Sequence, residues 1–359
     1  MAMLAMSGVL TPARIRCEVR TVLENFFADR IRSAASQHLA DLVAVLRGLV
    51  LAGGKLIRPT MCICGWQAAR GKGDLGPLLR VAASLELFHA FALIHDDVMD
   101  ESETRRGRLS AHRALTTMHR RRGLPGDSSK FGRNTGILLG DLALSWSDEI
   151  LQTAGLTATQ LRAALPVLHA MRTEVVLGQY LDLLNTGGLD GDVQQALTTI
   201  RFKTAKYTFE RPLHLGAVLA GADRSVTEAC SAFALPIGEA FQLRDDLLGV
   251  FGDSAETGKP TLDDLREGKQ TALMAFAAMR ATPAQLGILQ ASVGNPALDA
   301  AQACAVRTVL EETLARQEVE RLIAGRRREA LHALDRAPFP QAVVAMLRRV
   351  ADSATERTS

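Results

Sequence analysis

Two long stretches of the chain are apolar at helical spacing, and each of them closes on adjacent aspartates. The first covers residues 78–99 without a glycine or a proline, and its apolar residues occupy every helical face. The second covers residues 225–250 and contains Pro236. Apolar residues on all faces predict a helix that is buried on all sides rather than one that lies on the surface. We therefore expect both stretches to form core helices.

Helical periodicity dominates the rest of the chain, and the period-two alternation of strands is nearly absent. The pattern predicts an all-α protein with a single domain over residues 1–359, core motifs within 50–270 and a polar C-terminal tail at 352–359. Further predictions are helices over 14–51 and 58–70, a pair of helices within 157–184 that breaks at Pro166, and a loop over 252–268.

Charge and cysteine usage narrow the class of protein. The net charge of +3 is too small to argue for binding to nucleic acid. The five cysteines are scattered and odd in number, so we expect buried thiols in a reducing compartment. Arg47 interrupts the best candidate for a membrane span, and no positive residue precedes the apolar N-terminus, which disfavours a secretory signal. We therefore expect a cytoplasmic protein without a membrane span.

The first apolar stretch ends in three carboxylates. On a helix, Asp96 and Asp100 lie one turn apart on the same face, with Asp97 beside them. Three like charges repel one another, and the dipole of a helix that ends near Asp100 disfavours them further. Hard oxygen ligands at this spacing suit Mg²⁺, which proteins usually hold through one or two carboxylates and substrate phosphates. The alternative is a solvated acidic helix end.

The second apolar stretch ends in Asp245 and Asp246. If the two core helices run parallel to each other, their aspartates face across one cavity. Facing carboxylates on the helices of a bundle can hold several divalent cations. Two acidic helix ends together are therefore a stronger indication of a metal site than either one alone.

Basic residues occur in two groups that would complement an anionic ligand. Lys55 and Arg58 flank the Gly53-Gly54 turn, whose backbone N–H groups can also cradle an anion. The second group comprises Arg105, Lys203, Lys259 and Lys269. A diphosphate is both metal-binding and anionic, so it would satisfy the acidic and the basic residues together. Two basic groups suggest two diphosphates, although any one of these residues could instead form a surface salt bridge.

These residues belong to a longer series of motifs. The series is Gly53-Gly54-Lys55 with Arg58-Pro59; Glu86-Leu87-Phe88-His89; His95-Asp96-Asp97-Val98-Met99-Asp100 with Arg105-Arg106-Gly107 and His112; Gly140-Asp141; Gly178-Gln179-Tyr180-Leu181-Asp182; Lys203-Thr204-Ala205; Phe241-Gln242-Leu243-Arg244-Asp245-Asp246; and Thr257-Gly258-Lys259-Pro260 leading to Asp264-Leu265-Arg266-Glu267-Gly268-Lys269. In this order, the motifs resemble those of the trans-polyprenyl diphosphate synthases, which have the isoprenoid synthase fold. The resemblance spans about residues 50–270.

The resemblance implies a role for each candidate residue. It implies that Asp96 and Asp100, assisted by Asp97, hold two Mg²⁺ ions on an allylic diphosphate, and that Asp245, with Asp246 near it, holds a third ion. The side chains that would bind the same diphosphate are Arg105, Lys203, Thr204, Gln242, Lys259 and Lys269, and those that would bind isopentenyl diphosphate are Lys55, Arg58, His89 and Arg106. For His89, the alternative is a core histidine paired with Glu86.

The implied activity is head-to-tail prenyl transfer by a homodimer, from dimethylallyl, geranyl or farnesyl diphosphate to isopentenyl diphosphate. Metal ions and cationic side chains would stabilise the departing diphosphate, so that the allylic C–O bond ionises. The isopentenyl double bond would then attack the carbocation, and a proton would leave to the released diphosphate. The loop at 252–268 would help to exclude water as part of a lid. Alternatives are a terpene cyclase, which would not need Lys55, Arg58 and His89, and a helical interaction protein with decayed sites.

Residues before Asp96 would set the length of the product, which grows back along the first core helix. Ala92 lies one turn back, Phe91 flanks it, and Phe88 lies about two turns back. Only one of the two nearest positions is aromatic. In this respect the chain resembles synthases of the C20 product, geranylgeranyl diphosphate, and products of C15 or of C25 and longer are the alternatives. Phe91 could instead simply pack in the core. The chain departs from the family at Gly249, where a third aspartate is common.

Overall fold

The structure is a computed structural model that describes residues 10–252 and 262–356, and most of these residues are helical. The α-helices are α1 (Pro12–Arg32), α2 (Gln37–Leu51), α3 (Ile57–Ala68), α4 (Gly76–Met99), α5 (Ala111–Arg121), α6 (Ser128–Gln152), α7 (Ala158–Asn185), α8 (Val193–Ile200), α9 (Arg211–Leu219), α10 (Arg224–Phe251), α11 (Asp263–Glu267), α12 (Ala272–Arg280), α13 (Pro283–Ser292), α14 (Ala300–Glu312), α15 (Ala315–Arg336) and α16 (Gln341–Thr355). A π-helix, π1 (Arg201–Glu210), joins α8 to α9. Strand structure in the described residues is limited to an antiparallel hairpin of β1 (Thr104–Arg105) and β2 (Arg108–Leu109). The expected all-α class is confirmed.

The described residues form two compact units. One unit comprises residues 10–164 and 215–221, and the other comprises 165–214 and 222–356. Each unit is therefore assembled from segments that are not consecutive in the sequence. The single domain over residues 1–359 stays a prediction.

The core of the first unit is built around α4. Every residue from 81 to 90 is buried, as the apolar pattern on all helical faces predicts. The helix packs mainly against α6, with α1 and α3 on its other sides. Where α4 meets α6, the Ser147 hydroxyl donates a hydrogen bond to the Ser84 carbonyl at 2.8 Å, which satisfies two polar groups inside the core.

The core of the second unit is built around α10, which packs against π1 and α15. The helix is continuous through Pro236, as expected. Arg244 of α10 donates to both carboxylate oxygens of Glu320 on α15, at 2.6 and 2.7 Å. This two-pronged geometry fixes one helix against the other near the acidic end of α10.

Several expected boundaries are wrong. The helix expected over 14–51 is two helices, because the Ser36 hydroxyl accepts a hydrogen bond from the Leu39 N–H and caps the start of α2. Pro166 does not end α7, which continues on both sides of it. The tail expected at 352–359 is helical as far as Thr355. Within the loop expected at 252–268, α11 is helical, and residues 253–261 lie outside the described part of the chain.

The expectation that no run of the chain approaches a membrane span overlooked α4. By length and composition alone, this helix could cross a membrane, with a mean hydropathy of 1.5. However, 67% of the apolar window is buried inside the protein, as in the core helix of many water-soluble domains. The hydropathy of α4 is therefore weak evidence for a span.

Candidate active site

The first acidic site lies at the C-terminal end of α4. Asp96 and Asp97 occupy the last turn, and the N–H of Asp100 donates to the Asp96 carbonyl as the helix ends. Arg105 of β1 covers two of the carboxylates, with its Nε 2.8 Å from Oδ1 of Asp97 and its Nη2 3.3 Å from Oδ2 of Asp96. Asp97 is fully buried, and a buried carboxylate requires a compensating positive group. Arg105 supplies that charge.

The residues of this site fit Mg²⁺. Their donors are carboxylate oxygens, which Mg²⁺ prefers, and the guanidinium of Arg105 already occupies the position of a cation against them. Within the described residues, no group of three or more His, Cys, Asp or Glu side chains stands ready to hold a metal ion. To bind a metal, Asp96 and Asp97 would therefore exchange Arg105 for it.

The β1–β2 hairpin directs two consecutive arginines to different partners. Arg105 pairs with Arg108 in the hairpin register, and Arg106 takes a left-handed backbone conformation with φ of 54°. As a result, Arg105 contacts the aspartates, whereas Arg106 donates a hydrogen bond to the Gly53 carbonyl. A Cβ on Gly54 would lie 3.1 Å from Nη1 of Arg106, so a glycine at this position leaves room for the guanidinium.

A cluster of buried charged residues lies further back along α4. Arg58, Glu86 and His89 are each less than 10% exposed. Burial raises the pKa of Glu86, against the opposing effect of Arg58 and Arg106. Burial lowers the pKa of His89 well below its ordinary value, and the charges of Arg58, Arg106 and Arg105 lower it further. His89 is therefore a neutral imidazole at pH 7, which can exchange hydrogen bonds with a ligand but brings no charge.

The predicted chain-length residues lie on two neighbouring faces of α4. The ring of Phe91 packs between those of Phe88 and His95, with centroid distances of 5.5 and 4.9 Å. His95 is held in turn by α6, because its Nε2 lies 3.0 Å from the Ile137 carbonyl. Ala92 lies beside this stack and is half-buried. The aromatic stack therefore occupies one side of α4 and leaves the Ala92 side small.

The second acidic site, at the end of α10, is joined to π1 by hydrogen bonds. The Thr204 hydroxyl donates to Oε1 of Gln242 at 2.8 Å, and Nε2 of Gln242 donates to Oδ1 of Asp246 at 2.8 Å. Three predicted site residues thus form one continuous chain of hydrogen bonds, which fixes which amide end of Gln242 faces the carboxylate.

Carboxylates are concentrated around Asp246. Burial raises the pKa of Asp246 to about 7, and the negative charges of Asp264, Asp245 and Asp182 contribute in the same direction, while the bond from Gln242 opposes them. A carboxylate that resists ionisation because it is buried, with further negative charges nearby, is stabilised in its charged form by a cation among them. This second set of residues therefore also fits Mg²⁺.

The predicted lysines of the second unit are held by acidic residues. Nζ of Lys203 lies 2.6 Å from Oδ2 of Asp182, and Nζ of Lys269 lies 2.6 Å from Oε2 of Glu267. Lys259 lies outside the described residues. A ligand that binds through Lys203 or Lys269 would compete with these carboxylates.

Two glycines press against the backbone of π1. A Cβ on Gly178 of α7 would lie 2.3 Å from the Lys203 nitrogen, and one on Gly238 of α10 would lie 2.6 Å from the Ala205 Cα. Real Cβ atoms do not approach so closely, so neither glycine can be replaced without a shift of the backbone. A π-helix is rare and is often found at functional sites. In this protein, Gly178 and Gly238 pack against two sides of the π-helix at the segment that contains Lys203 and Thr204.

Two residues of these clusters had received no role from the sequence, Asp182 and Asp264. Both occur inside the family-like motifs, but their spacing does not reveal which cation or carboxylate they meet.

The sequence and the fold were compared with those of known proteins. The sequence profile of the polyprenyl synthetase family matches residues 40–310, about three quarters of the chain. The chain belongs to the polyprenyl synthetase family. Its reaction class is therefore prenyl transfer that elongates a polyprenyl diphosphate, and the substrates that this family uses are isopentenyl and allylic diphosphates.

Relatives within the polyprenyl synthetase family have names that refer to different products. Geranylfarnesyl diphosphate synthase from Aeropyrum pernix is 34% identical over 236 residues, which cover 65% of this chain and 69% of the relative. Octaprenyl diphosphate synthase from Escherichia coli is 30% identical over 309 residues, which cover 83% and 85%. The crystal structure of geranylgeranyl pyrophosphate synthase from Corynebacterium glutamicum, complexed with isoprenyl diphosphate and magnesium, is 41% identical with a TM-score of 0.94 and covers 97% of this chain and 100% of that chain.

The structural likeness confirms the isoprenoid synthase fold expected from the motifs. The product names range from geranylgeranyl to octaprenyl, so membership of the polyprenyl synthetase family does not by itself assign a product length.

Proposed function

We propose that the protein is a Mg²⁺-dependent geranylgeranyl diphosphate synthase. The observation that carries the proposal is the pair of acidic sites at the ends of α4 and α10, the first of them paired with Arg105, in a chain of the polyprenyl synthetase family. Carboxylates paired with a positive group that a metal ion can replace suit a ligand that brings both metal ions and negative charge. An allylic diphosphate with its magnesium is such a ligand.

Asp96, Asp97 and Asp100 would hold two Mg²⁺ ions, and Asp245 with Asp246 would hold a third. When bound, Mg²⁺ would neutralise the diphosphate and so favour its departure from the allylic carbon. Arg105 would then leave Asp96 and Asp97 and donate its N–H groups to the diphosphate oxygens, for which its planar fork is well suited.

The other residues proposed for the allylic diphosphate are Lys203, Thr204, Gln242, Lys259 and Lys269. Lys203 would exchange its Asp182 partner for a phosphate oxygen. The Thr204 hydroxyl donates its one proton to Gln242, and it would exchange this partner for a phosphate oxygen as a donor without a charge. Together they would stabilise the negative charge that develops as the C–O bond breaks.

Lys55, Arg58, His89 and Arg106 would bind isopentenyl diphosphate. Arg106 lies against the Gly53-Gly54 turn, beside the exposed Lys55, so these groups can share one anion. The lowered pKa of His89 means that it would act as a neutral hydrogen-bond donor, while the charge comes from the arginines and Lys55.

In the proposed reaction, the allylic C–O bond breaks and its electron pair leaves with the diphosphate. The double bond of isopentenyl diphosphate supplies the electrons of the new C–C bond, and a proton is then lost to the released diphosphate. The protein would contribute position and electrostatic stabilisation rather than a base. Lys203, Asp96, Asp100 and Asp245 are the residues that we assign to the chemical step.

A C20 product is favoured by the residues before Asp96. Phe91 is fixed between Phe88 and His95 and would limit growth, while the small Ala92 would leave space for a chain longer than C15. The similarity to the geranylgeranyl pyrophosphate synthase of Corynebacterium glutamicum supports the same length.

We also propose a cytoplasmic homodimer with one domain per chain, without binding to nucleic acid or a membrane span. Support for the dimer comes from α7, whose residues Val176, Tyr180 and Leu184 are 56%, 58% and 60% exposed at successive turns of one face. An apolar stripe of this kind on a surface helix is typical of a protein–protein contact.

The test is a product assay with labelled isopentenyl diphosphate and each of the C5, C10 and C15 allylic primers, with Mg²⁺. We expect elongation that ends mainly at C20. The absence of elongation with every primer would contradict the synthase proposal, and a dominant C15 or longer product would contradict the proposed length. A cyclic hydrocarbon formed without isopentenyl diphosphate would indicate a terpene cyclase.

A further inference from the structure

Positive charge is concentrated in one segment of the chain that lies outside the proposed site residues. Residues 108–133 contain seven Lys and Arg side chains and a single acidic one, Asp127, so the segment has a net charge of +6. Because the whole chain carries +3, its other residues together carry −3. The segment comprises β2, α5 and the start of α6. A charge asymmetry of this kind is typical of a surface that meets an anionic partner.

α5 and the start of α6 pack against each other as an antiparallel pair through buried groups. A Cβ on Gly132 would lie 2.0 Å from Oγ1 of Thr116, so the two helices are in close contact there. Nearer the turn between them, Nδ1 of His119 lies 3.0 Å from Oγ of Ser128, and the ring of His119 lies 4.5 Å from that of Phe131. These contacts occupy the inner side of α5 and leave the basic residues on its outer side.

Most cations of this segment are not neutralised by a carboxylate. Arg113 pairs with Glu103 at 2.7 Å, and Arg122 pairs with Asp41. The carboxylate of Asp127 caps α6 by accepting hydrogen bonds from two N–H groups of the first turn. The remaining cations are exposed and form no side-chain hydrogen bond or ion pair within the part of the chain that the structure describes. These five residues are the basic face: Arg108, Arg120, Arg121, Lys130 and Arg133.

Two exposed leucines lie near the two ends of α5, beside the basic face. Leu109 lies two residues before the helix and is 49% exposed, and Leu124 lies three residues after it and is 37% exposed. The 11 residues of α5 span about 16 Å. Cations spread over this distance cannot converge on one phosphate group. They match the many headgroups of an anionic lipid surface, which exposed leucines can enter.

We propose that the basic face docks the protein on a membrane surface that contains anionic lipids. The cations would lie over the headgroups, and Leu109 and Leu124 would enter the boundary between headgroups and acyl chains. Nucleic acid is a less favoured partner, because exposed aromatic rings that stack on bases are missing here. The single Phe, Tyr or Trp of residues 108–133 is Phe131, whose ring packs against His119.

Docking through the basic face would bring the first acidic site close to the membrane. A Cβ on Gly140 would lie 2.2 Å from the ring of His95. One on Gly136 would lie 2.9 Å from Cγ2 of Val98, so α6 runs antiparallel to α4. The start of α6 therefore lies beyond the end of α4 that carries Asp100. A polyprenyl diphosphate is amphiphilic and would be released beside the lipid; this consequence rests on the proposed function, whereas docking does not.

The experiment measures sedimentation of the full chain, without substrate, with vesicles of phosphatidylcholine alone or of an equimolar mixture of phosphatidylcholine and phosphatidylglycerol. We expect binding to the mixture only, and weaker binding as salt is added, because the contact is electrostatic. R120Q/R121Q/K130Q should weaken the apparent affinity about a hundredfold, since each cation near an anionic surface contributes roughly fivefold. Leu124→Ser should also weaken binding, because it removes an apolar group from the lipid.

The matched control removes the same charge from the opposite end of α4. R70Q/K72Q/R162Q replaces three exposed cations, of which Arg70 and Lys72 lie between α3 and α4 and Arg162 lies near the start of α7. A Cβ on Gly155, between α6 and α7, would lie 3.9 Å from Pro77 at the start of α4, so this turn belongs to that end. The control should bind mixed vesicles like the wild type. Circular dichroism and the thermal midpoint establish that each variant is folded.

Equal affinity of the wild type and R120Q/R121Q/K130Q for mixed vesicles would overturn the proposal. An equal loss in the control variant would do the same, since net charge rather than the basic face would then govern binding. So would displacement of the vesicles by inorganic diphosphate, or tighter binding to duplex DNA, at the same phosphate concentration. Absence of prenyl product in the separate product assay refutes the proposed function and leaves the vesicle result unaffected.

Discussion

Nε of Arg105 lies 2.8 Å from Oδ1 of Asp97, a carboxylate without solvent exposure. Arg105→Gln should therefore destabilise the metal-free protein by about 3 kcal/mol, because it leaves a buried charge with less compensation. Mg²⁺ with inorganic diphosphate should recover part of this loss, since the metal can take the place of the guanidinium. The measurement is the free energy of unfolding with and without these ligands. Arg108→Gln, across the hairpin, is the control, and an equal loss under both conditions would contradict the exchange of Arg105 for metal.

The lowered pKa of His89 predicts a pH dependence of stability. An unfolded histidine titrates near pH 6.5, so below that pH the unfolded chain binds a proton that the folded protein does not. Stability from this group is complete above pH 6.5 and is lost as the pH falls. Wild type should therefore lose more stability than His89→Gln between pH 7.5 and 5.5, as measured by denaturant unfolding at both pH values. The exposed His332→Gln is the control, and parallel losses in wild type and His89→Gln would rule out a neutral buried His89.

The hydrogen bond from Thr204 to Gln242 predicts a specific effect on the allylic substrate. Thr204→Val keeps the shape and removes the hydroxyl, so we expect the KM for the allylic diphosphate to rise about tenfold, the effect of roughly one lost hydrogen bond to a charged group. Thr204→Ser keeps the hydroxyl and should remain close to wild type. Steady-state kinetics with each substrate varied in turn provide the measurement. If Thr204→Val raised only the KM for isopentenyl diphosphate, the assignment of Thr204 would be wrong.

The contact between Gly178 and the backbone of Lys203 predicts that Gly178→Ala displaces π1. A new methyl group at 2.3 Å from the Lys203 nitrogen forces the two helices apart. Because Lys203 and Thr204 move together, we expect a lower kcat and a higher KM for the allylic diphosphate, with little change in the KM for isopentenyl diphosphate. Thr173→Ala, at an exposed position of the same helix, is the control. Equal changes in both KM values would indicate a general loss of structure instead.

The stack of Phe88, Phe91 and His95 predicts how product length responds to substitution. Phe91→Ala removes the middle ring and should lengthen the main product beyond C20, whereas Ala92→Phe places a second aromatic residue one turn before Asp96 and should shorten it to C15. Chromatography of the dephosphorylated products measures both effects. An unchanged length in Phe91→Ala would remove Phe91 from the set of length-determining residues.

The sequence predicts the fold class and the two acidic helix ends because both depend on periodicity along one helix. Residues 81–90 and the aspartates after them can be placed on α4 from spacing alone. The partners across helices cannot be predicted in this way. Arg105 on the aspartates, Asp182 on Lys203 and Asp264 near Asp246 all depend on how separate segments pack, and a pattern of residues contains no such distances. The continuity of α7 through Pro166 also depends on how separate segments pack. Packing on both sides of the proline can outweigh one lost hydrogen bond.

In the π-helix at 201–210, the positions of the proposed site residues depend on the exact number of residues in the segment. Its hydrogen bonds span one residue more than those of an α-helix, so each of its turns contains more residues than an α-helical turn. Deletion of one residue there would shift part of the segment toward the tighter turns of an α-helix. The same deletion would rotate Lys203 and Thr204 around the helix axis and away from Asp182 and Gln242. A small change in chain length at this segment could thus abolish an activity while every proposed site residue remained in the sequence.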